Sequence, residues 1–220
     1  MSQPAPLRID FVSDIVCPWC VIGLKALEKA LARTTDIVSP QLHFQPFELN
    51  PGMAPEGENS AEHVARKYGA SAAQSAASRN TIRDMGADLG FAFKGGPDAR
   101  IWNTFDCHRL LHWAERAGLE RQHALKMALF DAHFTRGEPL NDSETLVRAA
   151  IAAGLDGAAA RDVLDSGRYA DEVRAAQALW RDADIHAVPA IIFNGRHAIL
   201  GGQPAEVFEK VIRRIASGEV

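Results

Sequence analysis

Cysteine is scarce, with three in 220 residues. Three thiols cannot build the dense disulfide framework of a small secreted scaffold. Long apolar runs are missing too. No window approaches the ~18 apolar residues of a membrane span, so no membrane partner is expected. The chain also lacks a concentrated run of basic residues. It carries 24 Lys and Arg against 28 Asp and Glu, a net charge of −4, and no nucleic-acid partner is expected. Met1–Leu7, MSQPAPL, has no basic start followed by an apolar stretch. No secretory signal is therefore expected, and the expected address is cytoplasmic. In that compartment a pair of cysteines is more often catalytic or metal-binding than structural.

Hydrophobic residues make up 47% of the chain, enough for one substantial core. Arg8–Val12, RIDFV, reads as a strand. Apolar residues at Val21, Leu24, Leu27, Ala30 and Leu31 fall at helical spacing. Gln41–Leu49 alternates like a half-buried strand, and Pro46 points to a sheet edge. The first fifty residues thus read β-α-β. From about Ala61 to Asp184 alanine is abundant and β-branched runs are rare. Four to six helices are expected there, broken at Gly95-Gly96-Pro97, Gly118, Gly137–Pro139 and Gly154. Asp142 and its neighbours Asn141 and Ser143 are placed to cap a helix. Near the end, AIIF (Ala190–Phe193) and Arg196–Leu200 flank Asn194-Gly195, a strong hairpin signal. A last helix, Pro204–Ala216, puts Val207, Phe208, Val211, Ile212 and Ile215 on one face. The economical assembly is an α/β fold with one sheet made from both ends. It divides into 6–58 and 185–220, with 59–184 as a helical insertion.

Two of the three cysteines, Cys17 and Cys20, sit in DIVCPWC, at the junction of the first strand and helix. Residues i and i+3 of a helix face each other, so a small adjustment brings them to disulfide geometry. Cys17 at the helix start would lie beside unpaired N–H groups and the positive end of the dipole, which favour a thiolate. Pro18 suits the first turn, where a missing N–H costs nothing. Cys20 would lie one turn deeper. The same residues also admit half a metal site or two small buried side chains. A metal needs two more ligands; Cys107-His108 are adjacent and no second CxxC exists, so no metal site is assigned.

CPWC at the first helix start, the flanking β-α-β and β-β-α units, and Val188-Pro189-Ala190 before AIIF resemble the thioredoxin superfamily. The long helical insertion narrows the resemblance to the DsbA family of thiol–disulfide oxidoreductases. Several stretches look like its FrnE-like branch, near the 2-hydroxychromene-2-carboxylate isomerases. These are SDIVCPWC, FELNP (Phe47–Pro51), NTFDCHRL (Asn103–Leu110) and ALFDAHF (Ala128–Phe134). The resemblance implies a thioredoxin fold with a large all-helical insertion. It implies Cys17 as nucleophile, Cys20 as resolving thiol, and Pro189 as a cis-proline shaping a groove where Val188 N–H and C=O pair with substrate. Pro18, Trp19, Asn103 and Asn50 are the further candidate substrate contacts. The substrate would be a disulfide-containing protein or a small-molecule thiol. No cofactor is implied, with glutathione a candidate co-substrate. The chain would act as a monomer or homodimer. Within this branch a glutathione-dependent isomerase is the alternative; there a serine usually replaces the first cysteine.

Bland readings stand beside several of these. Asn103 serves equally as a helix N-cap, and Asn50 as a turn starter. Cys107 reads as a small buried side chain, and His108 as a satisfied residue between domains. Asp14 and His186 read as solvated loop residues. Trp102, Phe105 and Trp113 read as one core-facing helix side.

Overall fold

The computed structural model describes residues 3–96 and 98–219; Met1, Ser2, Pro97 and Val220 lie outside the described residues. Pro97 of the expected 95–97 break and the first two residues of MSQPAPL are therefore not covered.

Strand β1 (Ala5–Ser13) leads into helix α1 (Pro18–Ala32), and β2 (Val38–Pro46) returns parallel to β1. At the other end β5 (Ala190–Phe193) pairs antiparallel with β1, and β6 (His197–Leu200) pairs with β5. The sheet order is β2-β1-β5-β6, so the two ends of the sequence do build one sheet. Period-2 alternation divides its residues. Ile9 and Phe11 of β1, with Ile191 and Phe193 of β5, join the large core that includes Leu24 and Leu27 of α1. Phe208 and Ile212 of α9 (Ala205–Ser217) belong to the same core. Val12 and Ile192 face the other way, into a smaller cluster with Ile185 and Trp180.

β2 begins and ends three residues earlier than its alternation predicts. It leaves the sheet at Pro46 because the Leu49 N–H is taken by Asp14 Oδ2 at 2.7 Å instead of a ladder partner. The Pro46 edge position holds, since β2 is the outer strand. Asn194 and Gly195 both take positive φ, 51° and 66°. Arg196 joins the turn, so β6 starts at His197. In α9, Ala205, Phe208 and Ile212 are buried at 3.6-residue spacing, while Val207 lies off that stripe and is exposed.

Between the two halves of the sheet run seven α-helices among the described residues, more than the four to six expected. They are α2 (Ser60–Tyr68), α3 (Ala72–Asp88), α4 (Phe105–Glu115), α5 (Leu119–Phe130), α6 (Ser143–Ala152), α7 (Gly157–Ser166) and α8 (Ala170–Asp182). The count rises because breaks with no Gly-Pro cluster, such as Gly69 and Gly167, take left-handed conformations that end α2 and α7. Asp142 caps α6 by accepting from the N–H groups of Glu144 and Thr145. Two short strands, β3 (Glu58–Asn59) and β4 (Arg100–Ile101), pair across the start of this segment. At two residues each they are too short to show any alternation. α5 ends in a π-helical turn, Asp131–Thr135.

The helices grip the sheet through its outer edge. Gln122 of α5 accepts from Phe44 N–H at 3.0 Å and donates to Phe44 C=O at 3.1 Å and Leu111 C=O at 3.3 Å. A buried amide thus satisfies backbone groups of β2 that no further strand could reach. Gln122→Leu keeps the volume and strands the Phe44 groups. The expected loss is about 2–4 kcal/mol of unfolding free energy, read by urea denaturation; a change under about 0.5 kcal/mol would contradict this role.

Candidate active site

Cys17 is the N-cap of α1, and Pro18 occupies the first helical position. No side chain caps this helix end. Cys20 N–H donates to Cys17 C=O at 3.1 Å, which winds the first turn. The Cys17 thiol donates to Val188 C=O, with Sγ 3.7 Å from the oxygen. The segment before β5 therefore lies directly over the start of α1. Val188 is half-buried, its Pro189 peptide bond is cis, and Pro189 is buried. This approach depends on two glycines. A Cβ at Gly23 would lie 3.0 Å from Pro189 Cγ, and one at Gly202 would lie 3.0 Å from the Trp19 carbonyl oxygen.

The two thiols differ in surroundings. Cys17 is itself buried, 4% exposed, at the N-cap beside Trp19, which is 37% exposed. Cys20 is fully enclosed. Burial, followed by the neighbouring Cys17, pushes the Cys20 thiol well above the usual cysteine range. Tyr68, 62% exposed at the end of α2, is close enough that a Cys17 thiolate adds to the effect of burial in raising its phenol. Tyr68 had no signal in the sequence, because helix α2 comes from a different part of the chain.

Asp14 is fully buried, which corrects its reading as a solvated loop residue. Its carboxylate accepts from Ile15 N–H at 2.7 Å and Leu49 N–H at 2.7 Å, and His108 Nε2 lies 3.5 Å away. His108 is buried, with the Asp14 carboxylate as its ion-pair partner. Cys107 is enclosed, and burial raises its thiol above the usual range. His186, by contrast, is exposed and pairs with Asp184 at 2.9 Å.

Asn50 and Asn103 belong to the surroundings of the thiols. Asn50 Oδ1 accepts from Lys67 Nζ at 2.7 Å, and the same amine donates to Leu49 C=O at 2.9 Å. Asn103 Oδ1 accepts from Phe105 N–H at 2.9 Å, but the N-cap of α4 is Thr104 and not Asn103. Its amide lies 3.5 Å from Pro51 C=O. Neither asparagine bonds a thiol among the described residues. Both instead anchor the 49–51 loop, beside an open depression of about 470 Å³ lined by Asn50, Met53, Glu58 and His63. Trp102 and Trp113 are partly buried and pack against the main core as expected, whereas Phe105 does not join it and lies under Arg174.

One group escaped the sequence reading altogether. Lys126 of α5 is fully buried, and its Nζ has no hydrogen-bond partner among the described residues. It shares a stripe with Gln122, Leu125, Leu129 and Phe130. That spacing was a usable signal, since a lysine at a core position of a helix requires a partner or a function.

Among the described residues no three His, Cys, Asp or Glu side chains cluster as metal ligands, and no helix is long and apolar enough to cross a membrane.

Asp14 makes the stability of the site acid-sensitive. Burial acts to raise its pKa, but His108, the Leu49 N–H and Thr104 together hold it below the usual carboxylate range. The unfolded chain therefore takes up the proton first as pH falls. The stabilisation is complete above about pH 4 and is lost as pH drops through the lower folded value. Asp14→Asn is expected to flatten the fall of unfolding free energy below pH 4, by at most about 1.4 kcal/mol per pH unit. Equal slopes in urea titrations of both proteins would contradict this.

Comparison with known proteins agrees with this arrangement. The family model for a DSBA-like thioredoxin domain matches residues 8–213. The crystal structure of a probable DsbA oxidoreductase from Streptomyces coelicolor is 36% identical. It superimposes with a TM-score of 0.89 over 97% of this chain and 91% of that one. The protein YwbO of Bacillus subtilis (strain 168) is 28% identical over 219 residues, covering 94% of this chain and 96% of the relative. A 2-hydroxychromene-2-carboxylate isomerase shares the fold, with a TM-score of 0.68 at 12% identity, over 96% of this chain and 97% of that one. With its paired thiols set under Val188 at the head of α1, the chain belongs to the DSBA-like thioredoxin domain family.

Proposed function

We propose that the protein is a dithiol–disulfide exchange enzyme of the FrnE-like branch. The observation that carries this reading is the placing of Cys17 at the N-cap of α1, with its thiol on Val188 C=O and Cys20 one turn deeper and fully enclosed. In the exchange, the Cys17 thiolate attacks one sulfur of a substrate disulfide. A bond forms between Cys17 Sγ and that sulfur, and the other substrate sulfur leaves as a thiolate. Cys20 then attacks Cys17 Sγ, closes the internal disulfide and releases the second substrate sulfur. The protein is oxidised by two electrons and the substrate disulfide is reduced. The same steps run backwards when the protein starts oxidised.

The remaining site residues take supporting roles in this reading. Val188 presents its backbone to an extended substrate next to Cys17, and Pro189 shapes that groove. Pro18 and Trp19 form an apolar lip. Asn50 and Asn103 hold the 49–51 loop that borders it. We place the reaction in the cytoplasm and in the reducing or isomerising direction, with protein disulfides or small thiols as substrates and glutathione as the regenerating thiol. The unpaired, enclosed Cys107 suits a reducing compartment.

The shared fold of the chromene-carboxylate isomerase supports a second reading, in which Cys17 alone activates glutathione for isomerisation of an aromatic substrate. The two readings part at Cys20. In exchange, Cys20→Ser is expected to trap a stable mixed disulfide on Cys17, visible as a mass shift that reductant removes, and Cys17→Ser to abolish turnover. If Cys20→Ser retains full glutathione-dependent activity without trapping, the isomerase reading prevails.

A further inference from the structure

The depression beside the 49–51 loop has no task in exchange as so far described. Its volume is about 470 Å³, and Asn50, Met53, Ala54, Glu58, His63 and Arg66 line it. Hydrogen bonds from several parts of the chain fix its walls. Arg100 Nη2 donates to Glu56 C=O at 2.7 Å and to Gly57 C=O at 3.0 Å. Met53 N–H donates to Asn50 C=O at 3.0 Å, and Gly57 N–H to Ala54 C=O at 2.9 Å. Gly57 has a φ of 64°, and a Cβ there would lie 2.7 Å from Trp102 Cε3. A pocket held this way is formed before a ligand arrives.

The polar groups of this pocket are set for a neutral ligand. The His63 side chain is 7% exposed, and its Nδ1 lies 2.7 Å from Glu58 Oε2. A carboxylate only accepts, so the single N–H of a neutral imidazole sits on Nδ1 and the lone pair on Nε2. Burial, then Lys67, holds His63 below the usual histidine range and keeps it neutral. Its Nε2 has no hydrogen-bond partner among the described residues. The nearby cations are already engaged. Arg66 donates to both Glu58 oxygens, and Lys67 donates to Leu49 C=O and Asn50 Oδ1. With its Oδ1 taken, Asn50 keeps its amide N–H groups free among the described residues. What remains is one acceptor, His63 Nε2, and one donor, Asn50 Nδ2, beside the apolar Met53 and Ala54. A peptide unit offers the complementary N–H and C=O.

We propose that this depression binds the substrate polypeptide beside its reactive disulfide, with His63 Nε2 accepting from a peptide N–H and Asn50 Nδ2 donating to a peptide C=O. The proposal deepens the exchange reading above and rests on it, and it selects protein disulfides over small thiols. Printed contacts tie the pocket to the nucleophile. Leu49 N–H donates to Asp14 Oδ2 at 2.7 Å, and Cys17 N–H donates to Asp14 C=O at 3.4 Å. The loop that carries Asn50 and the start of α1 thus share one residue. β2 and β5 flank β1, and the 49–51 loop and Val188 adjoin the ends of those strands nearest Ser13. They therefore stand on opposite sides of the β1 terminus that leads to Cys17. The Val188 segment takes one flank of the substrate disulfide and the depression takes the other. Glutathione carries carboxylates at both ends, and in this pocket the cations that would hold them are engaged.

The test uses full-length Cys20→Ser protein carrying nitrogen-15 histidine. Cys17 is joined as a mixed disulfide either to a neutral peptide with a single central cysteine or to glutathione. NMR of the imidazole nitrogens reads the bond directly, with the His63 signals assigned by their loss in His63→Gln. A lone pair that accepts a hydrogen bond moves upfield. The His63 Nε2 resonance is expected to move upfield in the peptide adduct and to stay in place in the glutathione adduct. An unmoved resonance in the peptide adduct overturns the proposal, and an equal shift in both adducts overturns its choice of a polypeptide. A second variant reads the same site by kinetics. Ala54 is exposed, so Ala54→Trp fills the pocket from the surface. It is expected to raise KM for a neutral peptide disulfide by about tenfold, a binding loss of about 1.4 kcal/mol, while kcat changes little. An unchanged KM overturns the proposal. If the natural protein, given the same peptide adduct, never closes Cys17 onto Cys20, it is the exchange reading that fails.

Discussion

The contact between the start of α1 and the Val188–Pro189 segment is the constraint on which the site depends. It joins the two ends of the chain, and it exists because β1 pairs with β2 on one side and β5 on the other. Gly23 and Gly202 let the helix approach to within side-chain contact of Pro189. Cys17 then has a backbone carbonyl for a neighbour. Sheet, helix and proline segment act as one clamp, and the inserted helices are built around it.

Beneath that clamp lies a buried polar layer. Asp14 holds the 49–51 loop through the Leu49 N–H, and Lys67 holds it through Leu49 C=O and Asn50. His108 and Lys126 reach the same region from α4 and α5. The insertion is therefore more than a lid. Its Gln122 amide seals the outer edge of the sheet. Buried polar groups of this kind are costly unless paired, so those left unpaired are the natural places to look for chemistry.

Much of the fold was legible in the sequence because it rests on local signals. RIDFV, AIIF and the Asn194-Gly195 turn follow alternation and turn chemistry, and the apolar spacing of α1 follows the helical period. The position of Cys17 at the helix start followed from the Pro18 at the first turn. What was not legible depends on contacts distant in sequence. Asp14 looks like a loop residue until Leu49 and His108 enclose it. Lys126 looks like a surface lysine until Phe44 of β2 and Phe130 close around it. Tyr68 gains its place near Cys17 only when α2 packs beside the 49–51 loop. Asn103 shows the opposite outcome, since its side chain acts locally, holding the N–H of Phe105, the first residue of α4.

The central claim, that Cys17 and Cys20 form a reversible redox pair, is tested most directly by equilibrium titration in glutathione redox buffers. The thiol state of each cysteine is followed by alkylation and mass spectrometry. The account predicts a single two-electron transition in which Cys17 and Cys20 close on each other, with a midpoint between about −270 and −120 mV. A Cys17 that carries only glutathione across the whole range, with Cys20 remaining a free thiol, would contradict it.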